Sequence, residues 1–166
     1  MIKEISSTAL QYLGQKEVPG NMGFTDHDFE KKMYDVGFQK TYAWCALFME
    51  LCVKEGNPAF YAANEKLFSA SATSTYKNFD IAGKTVKEPQ VGDGVIWRHG
   101  NGWQGHAGIV VSVDNKAGTF QSVEGNTADD GNPNNREGVI VAKKSRKLKN
   151  PYSAKGLNLV GFIRFE

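Results

Sequence analysis

The sequence has no apolar run approaching the ~18–20 residues that a membrane span needs. Its first residues, Met1-Ile2-Lys3-Glu4-Ile5-Ser6-Ser7, lack the continuous apolar stretch of a secretory leader. The protein is therefore expected to be made in the cytoplasm and exported by another route, unless a leader has been trimmed. Cysteine is scarce, with only Cys45 and Cys52 in 166 residues. Two helical turns would separate their backbones by roughly 10 Å, beyond the ~7 Å reach of a disulfide, so they are not a structural staple. Two cysteines exclude a four-cysteine zinc site, and three histidines leave little for another metal constellation. No metal and no cofactor is expected. A net charge of +2 gives no pull toward nucleic acid. Internal repeats, linkers and low-complexity tracts are also missing, and the length suits one domain spanning residues 1–166.

What the chain does contain divides into two halves. The first reads as helical. Ile2, Ile5, Ala9, Leu10 and Leu13 share one helical face, ended by Gly14. Thr25 and Asp28 read as a capping box opening a second helix through Phe29, Met33 and Tyr34. A third helix from about Trp44 to Glu55 is apolar nearly all round, which marks it as buried, and it stops at Gly56-Asn57-Pro58. Glu50 and Lys54, four residues apart, would pair on its one wet face. Pro58 opens a further helix through Phe60, Tyr61 and Leu67, and 71–79 reads as a short one. In the second half the period changes to that of strands, at 95–97, 107–113, 119–124, 138–143 and 159–165, with a hairpin turn at 114–118. Helices first and an antiparallel sheet afterwards predict an α+β domain. The basic run Lys143-Lys144-Ser145-Arg146-Lys147-Leu148-Lys149 reads as a solvated edge; the alternative is a contact patch for an anionic wall polymer.

Cys45 stands near the N-terminus of the buried helix, where the dipole and free N–H groups favour a thiolate. Cys52, deeper in the same helix, lacks that help and reads as core. A catalytic cysteine needs a base. His27 lies in an acidic helical first turn and His99 in a glycine-rich loop, whereas His106 opens a strand that would hold its ring. With the hairpin centred near Lys116, the residue facing His106 is about 126. Glu124 and Asn126 share its parity, so all three should point to one face. A carboxylate or amide there would fix the imidazole tautomer and stabilise the imidazolium.

Four motifs, Trp44-Cys45-Ala46-Leu47-Phe48, Gly92-Asp93-Gly94-Val95-Ile96-Trp97, Gly105-His106-Ala107-Gly108-Ile109-Val110-Val111 and Glu124-Gly125-Asn126-Thr127, resemble in order and spacing the CHAP family of cysteine, histidine-dependent amidohydrolases/peptidases. The resemblance extends upstream to 14–21 and downstream to 136–139 and 159–164. It implies a papain-like, NlpC-like fold in which N-terminal helices carry the cysteine and a C-terminal antiparallel sheet carries the histidine. It makes Cys45 the nucleophile, His106 the base, Glu124 the residue that orients His106, and Asn126 an additional polar member of the site. Some members hold calcium near the cysteine. Here Asp26-His27-Asp28 lies well upstream, and Asp129-Asp130-Gly131-Asn132 lacks the ligand spacing of a calcium loop.

The implied substrate is peptidoglycan, cut either at the sugar–peptide amide or within its peptides, through a thioacyl-enzyme. Tyr42, Trp97 and Trp103 are candidate walls of a substrate groove. The site of action would be the cell wall, and an immunity or inhibitor protein is the expected partner of a delivered effector. Two rivals stay open: a non-catalytic wall-binding module on the same fold, and a papain-like acyltransferase or deamidase with a non-wall substrate.

Overall fold

A helix buried on almost every side organises the molecule. The structure is a computed structural model that describes residues 2–128 and 138–166. Its helices are α1 (Ile2–Gln11), α2 (His27–Asp35), α3 (Cys45–Gly56), α4 (Pro58–Asn64) and α5 (Ala72–Ile81), with a 3₁₀ turn at Glu65–Leu67. Ten of the 12 residues of α3 are buried. Leu47, Phe48, Met49, Leu51 and Val53 radiate from it in different directions, so helices and sheet must both pack around it. From α1 come Ile5 and Ala9, with Tyr12 just past its end, while Leu10 and Leu13, expected on the same face, are exposed.

The strands are β1 (Thr85–Val86), β2 (Gly94–His99), β3 (Gly105–Asp114), β4 (Thr119–Thr127), β5 (Ile140–Lys147) and β6 (Leu157–Ile163). They form one antiparallel sheet in the order β1-β6-β2-β3-β4-β5. The α+β class read from the sequence is the observed one. Strand alternation divides the sheet into two faces. Ile96, Ala107, Ile109, Val123 and Ile163 pack against the helices. Val95, Trp97, Val110, Phe120 and Phe162 form a second apolar cluster on the far face.

Several local expectations change. The N-cap of α2 is Asp26, whose carboxylate accepts the Phe29 N–H at 2.8 Å, rather than Thr25. Glu50 is not paired with Lys54 on a wet face. It is buried and accepts the Tyr61 hydroxyl at 2.8 Å, and its burial pushes its pKa up to about 7. Lys54 instead lies over the Tyr61 ring. The basic run is not a solvated edge throughout. Strand β5 continues to Lys147, and Lys144 and Arg146 face inward while Lys143, Ser145 and Lys147 face solvent. Asp129-Asp130-Gly131-Asn132 and Arg136-Glu137 lie outside the described residues.

Helix α1 crosses the end of α3 at backbone contact. A Cβ on Gly56 would lie 2.5 Å from Ile5 Cα and 2.7 Å from Ile5 N, so only glycine lets the two helices meet there. Gly56→Ala must therefore separate them, and is expected to destabilise the fold by about 1–3 kcal/mol. Urea unfolding measures this, and an unchanged midpoint would refute the contact.

Candidate active site

Cys45 is the first residue of α3. Trp44, the preceding N-cap residue, makes no side-chain capping bond, and the first helical turn holds no acidic residue. The N–H groups of that turn have no partners inside the helix, so they concentrate positive potential at the thiol. The approach to the helix is fixed from the sheet and from the upstream loop. Asn126 Oδ1 accepts the Trp44 N–H at 2.9 Å, and Asn126 Nδ2 donates to Gly138 O at 2.7 Å and to Asn21 Oδ1 at 3.4 Å. Asn21 is held in turn by Glu17, whose carboxylate accepts its N–H at 2.7 Å, and Asn21 O accepts the Thr41 N–H at 2.7 Å.

His106 opens β3 opposite Trp97, with its ring wholly buried. Its Nε2 donates to Glu124 Oε2 at 2.8 Å. Glu124 is wholly buried as well, and it accepts three further hydrogen bonds. Ser122 Oγ and Arg146 Nε donate to Oε1 at 2.6 and 2.8 Å, and Arg146 Nη2 donates to Oε2 at 2.6 Å. Arg146 lies over the Trp97 indole, 4.6 Å from its centroid. Gly108 makes room for this arrangement, because a Cβ on it would fall 2.8 Å from Glu124 Cγ.

With Nε2 committed to Glu124, the free ring nitrogen is Nδ1, which is buried without a hydrogen-bond partner among the described residues. Its reactive neighbour is Cys45. Thiol and ring influence each other's ionisation without meeting normal hydrogen-bond geometry. Burial by itself would push the thiol pKa up, but His106 and the backbone of Ala107 and Ala46 bring it below its ordinary value. Burial would likewise push His106 down, yet Glu124 and then Cys45 hold it up at about 9. Against its burial, Glu124 is held down at about 2 by His106 and Arg146. Cys45, His106, Glu124 and Arg146 thus form a buried row of alternating charge. The stabilised state is a thiolate beside an imidazolium.

The sequence-derived candidates fall into two groups. Cys45, His106 and Glu124 come together. Asn126 does not join them: a register shift between Glu124 and Thr127 and a left-handed φ of 53° carry it to Trp44, so it braces the residue before the thiol. Trp97 pairs with His106 across the sheet and is 4 % exposed, packed under the His106 ring and the Arg146 guanidinium, so it supports the ion cluster and is not an open wall beside Cys45. Tyr42 and Trp103 are exposed, the latter in the β2–β3 connection with its carbonyl bonded by Thr73 Oγ1 at 2.8 Å. Arg146 and Ser122 were missed. The available signal was the parity of β5, which pairs Arg146 with Phe120 and so places it on the face of Glu124. Cys52 is fully buried and its pKa is raised by that burial. Among the described residues no three His, Cys, Asp or Glu side chains group as a metal ion would require, and no helix is long and apolar enough to cross a membrane.

Compared with known protein families, the chain matches the CHAP domain over residues 37–126, more than half its length and inclusive of Cys45, His106 and Glu124. Comparison with curated proteins and with solved structures finds no match to either.

Gly108→Ala tests how the carboxylate is held. The added methyl must displace Glu124 from His106, so the imidazole pKa is expected to fall from about 9 toward its ordinary 6.5. NMR titration of the ring measures it. An unmoved pKa would mean that Glu124 does not support the imidazolium.

Proposed function

The chain belongs to the CHAP family, whose members are in general cysteine- and histidine-dependent amidohydrolases on a papain-like fold, and from that premise we propose that it hydrolyses amide bonds of peptidoglycan through a Cys45 thioacyl-enzyme. One arrangement supports the reading: a thiol at an uncapped helix N-terminus and a buried imidazole shift each other's ionisation, and the imidazole Nε2 is bonded to a buried carboxylate. The described elements outside the matched segment include α1, α2, β5 and β6, which contribute Ile5, Phe29, Val141 and Ile163 to the same core. The whole chain is accordingly proposed as one catalytic domain.

In the proposed reaction the Cys45 thiolate attacks the amide carbonyl carbon. Charge developing on the carbonyl oxygen meets the backbone N–H groups at the start of α3. As the C–N bond breaks, His106 gives its Nδ1 proton to the departing amine, leaving a thioester. Nδ1 then takes a proton from water, whose oxygen attacks the thioester. Collapse releases the carboxylic acid and restores thiolate and imidazolium. Glu124 does not exchange protons in this scheme. All its acceptor positions are filled, so it orients the ring and stabilises its charge. Arg146 is the proposed positioning residue behind it. The bond cut is either the sugar–peptide amide or one within the stem or cross-bridge peptides, and the place of action is the cell wall. If the protein is a delivered effector, an immunity or inhibitor protein is its proposed partner. Tyr42 and Trp103 remain the exposed aromatic candidates for contacting the peptide or glycan.

Release of new amino groups from purified peptidoglycan tests the reading directly. Wild type is expected to release them, and Cys45→Ala to lose about 10⁴-fold or more of the rate. Mass spectra of the fragments would name the bond. Cys52→Ala should keep its activity and lose about 1 kcal/mol of stability. Silence from the wild type on every wall type, with calcium supplied, would overturn the proposal in favour of a binding module or a non-wall substrate.

The pH profile supplies a second test. The working ion pair needs a charged His106, so kcat/KM should fall on the alkaline side near pH 9. The acid limb should lie below the ordinary thiol range, because the thiolate is favoured. Stability follows the same groups with opposite signs. The Glu124 contribution is present above its ordinary 4.5 and is lost as pH falls toward about 2. The His106 contribution is complete below its ordinary 6.5 and is lost as pH rises through about 9. A rate that climbs steadily through pH 9 would rule out the ion pair as the working form.

A further inference from the structure

The far face of the sheet carries a cleft of about 420 Å³ that Cys45 does not line. Its inner wall is the edge of Trp97 with Leu157 and Leu159, and its rim carries Lys147, Lys149 and Tyr152. Among the described residues no carboxylate lines it. The cleft is preformed, because the chain on both sides of it is tied down. Leu148 N–H donates to Gly118 O at 3.0 Å, which fixes the end of β5 to the β3–β4 turn. Asn158 folds the β5–β6 connection over itself: its Oδ1 accepts the Ser153 N–H at 2.8 Å, and its Nδ2 donates to Ser153 O at 2.8 Å and Gly156 O at 3.2 Å. Tyr152, 58 % exposed, shares the lining with Leu157 and Leu159 and offers an accessible aromatic ring. Lys147 and Lys149 have no ion-pair partner among the described residues.

We propose that this cleft is a binding site for an anionic saccharide, a sugar unit bearing phosphate or carboxylate. The apolar face of a sugar ring fits against an aromatic ring and leucine side chains. Two ammonium groups on the rim, with no ion-pair partner among the described residues, attract a negative substituent, and no described carboxylate lines the cleft to oppose it. A neutral sugar would gain only the first of these. The site is separate from the thiol, yet its occupant would touch Trp97, whose indole also packs against His106 at 5.7 Å and Arg146 at 4.6 Å. The proposal does not depend on peptidoglycan being the substrate of Cys45.

Titrating the full chain with three oligosaccharides, followed by calorimetry and tryptophan emission, tests it. The probes are a glycosylated ribitol-phosphate oligomer, a galacturonate trimer and a neutral N-acetylglucosamine trimer. Saturable binding of a charged oligomer is expected, at least about tenfold tighter than the neutral one. The charged probe that binds identifies phosphate or carboxylate as the recognised group. The double change Lys147→Gln/Lys149→Gln and the single change Tyr152→Ala should each weaken binding at least about tenfold. Cys45→Ala should bind as the wild type does. Lys143→Gln, at an exposed lysine of β5 outside the cleft, should leave affinity unchanged. The proposal is overturned if neither charged probe binds, if the neutral probe binds as tightly, if the double lysine change has no effect, or if Lys143→Gln is as damaging as that double change.

Discussion

A carboxylate with no exposed atom is unfavourable unless every acceptor position is filled, and Glu124 satisfies that requirement with donors from three strands. His106 comes from β3, Ser122 from the same strand as Glu124, and Arg146 from β5. The sheet register therefore cannot slip at this end without leaving a buried charge unpaired, an error that typically costs about 3–5 kcal/mol. Gly108 belongs to the same constraint, since the carboxylate arm passes where its side chain would be. The chemistry inherits its geometry from this ion cluster. An imidazole held at Nε2 by a saturated carboxylate has one nitrogen left to work with, and it stays protonated at neutral pH.

The helix layer contributes the other half of the site. A thiol on β3 would have the imidazole but no converging N–H groups. A thiol mid-helix, such as Cys52, has neither, and burial drives its pKa upward. Position one of α3 has both. That position demands an open helix end, so stability lost by leaving the end uncapped must be recovered nearby. Trp44 does much of this by packing edge-on to Phe24 at 5.0 Å, while its backbone N–H is satisfied by Asn126 from across the domain. The upstream Glu17–Asn21 turn bonds to Thr41 and Asn126, so it belongs mechanically to the thiol.

Much of this was legible because its signals are local or periodic. The nearly all-round apolar pattern from about Trp44 to Glu55 and its Gly-Asn-Pro stop located α3 to within a residue at each end. Simple counting around a hairpin centred near Lys116 brought Glu124 to the face of His106. The same counting failed two residues later, because a register shift and a left-handed residue reverse side-chain direction, and parity does not reveal them. Arg146 was hidden for a different reason. A strand read as ending at Lys143 turns the rest of the basic run into apparent solvent-facing charge. A buried guanidinium looks like a solvated one until its carboxylate partner is known. Glu50 posed the same problem: its i,i+4 neighbour Lys54 was visible in sequence, whereas Tyr61, the group it bonds, sits on another helix.

Trp97 connects these observations. It was a candidate groove wall at the thiol, and its pairing with His106 instead buries it in the apolar cluster on the sheet face away from the helices. There it stacks with Phe120 at 6.2 Å, lies beneath the Arg146 guanidinium and flanks the His106 ring. Arginine over an indole keeps its hydrogen-bonding edge free, so one cation can hold Glu124 and rest on Trp97 together. The outer edge of the same indole forms part of the far-side cleft. The far face is therefore more than a second apolar cluster. It supports the charges that prepare the thiol and presents a shaped surface to solvent, with one aromatic residue common to both.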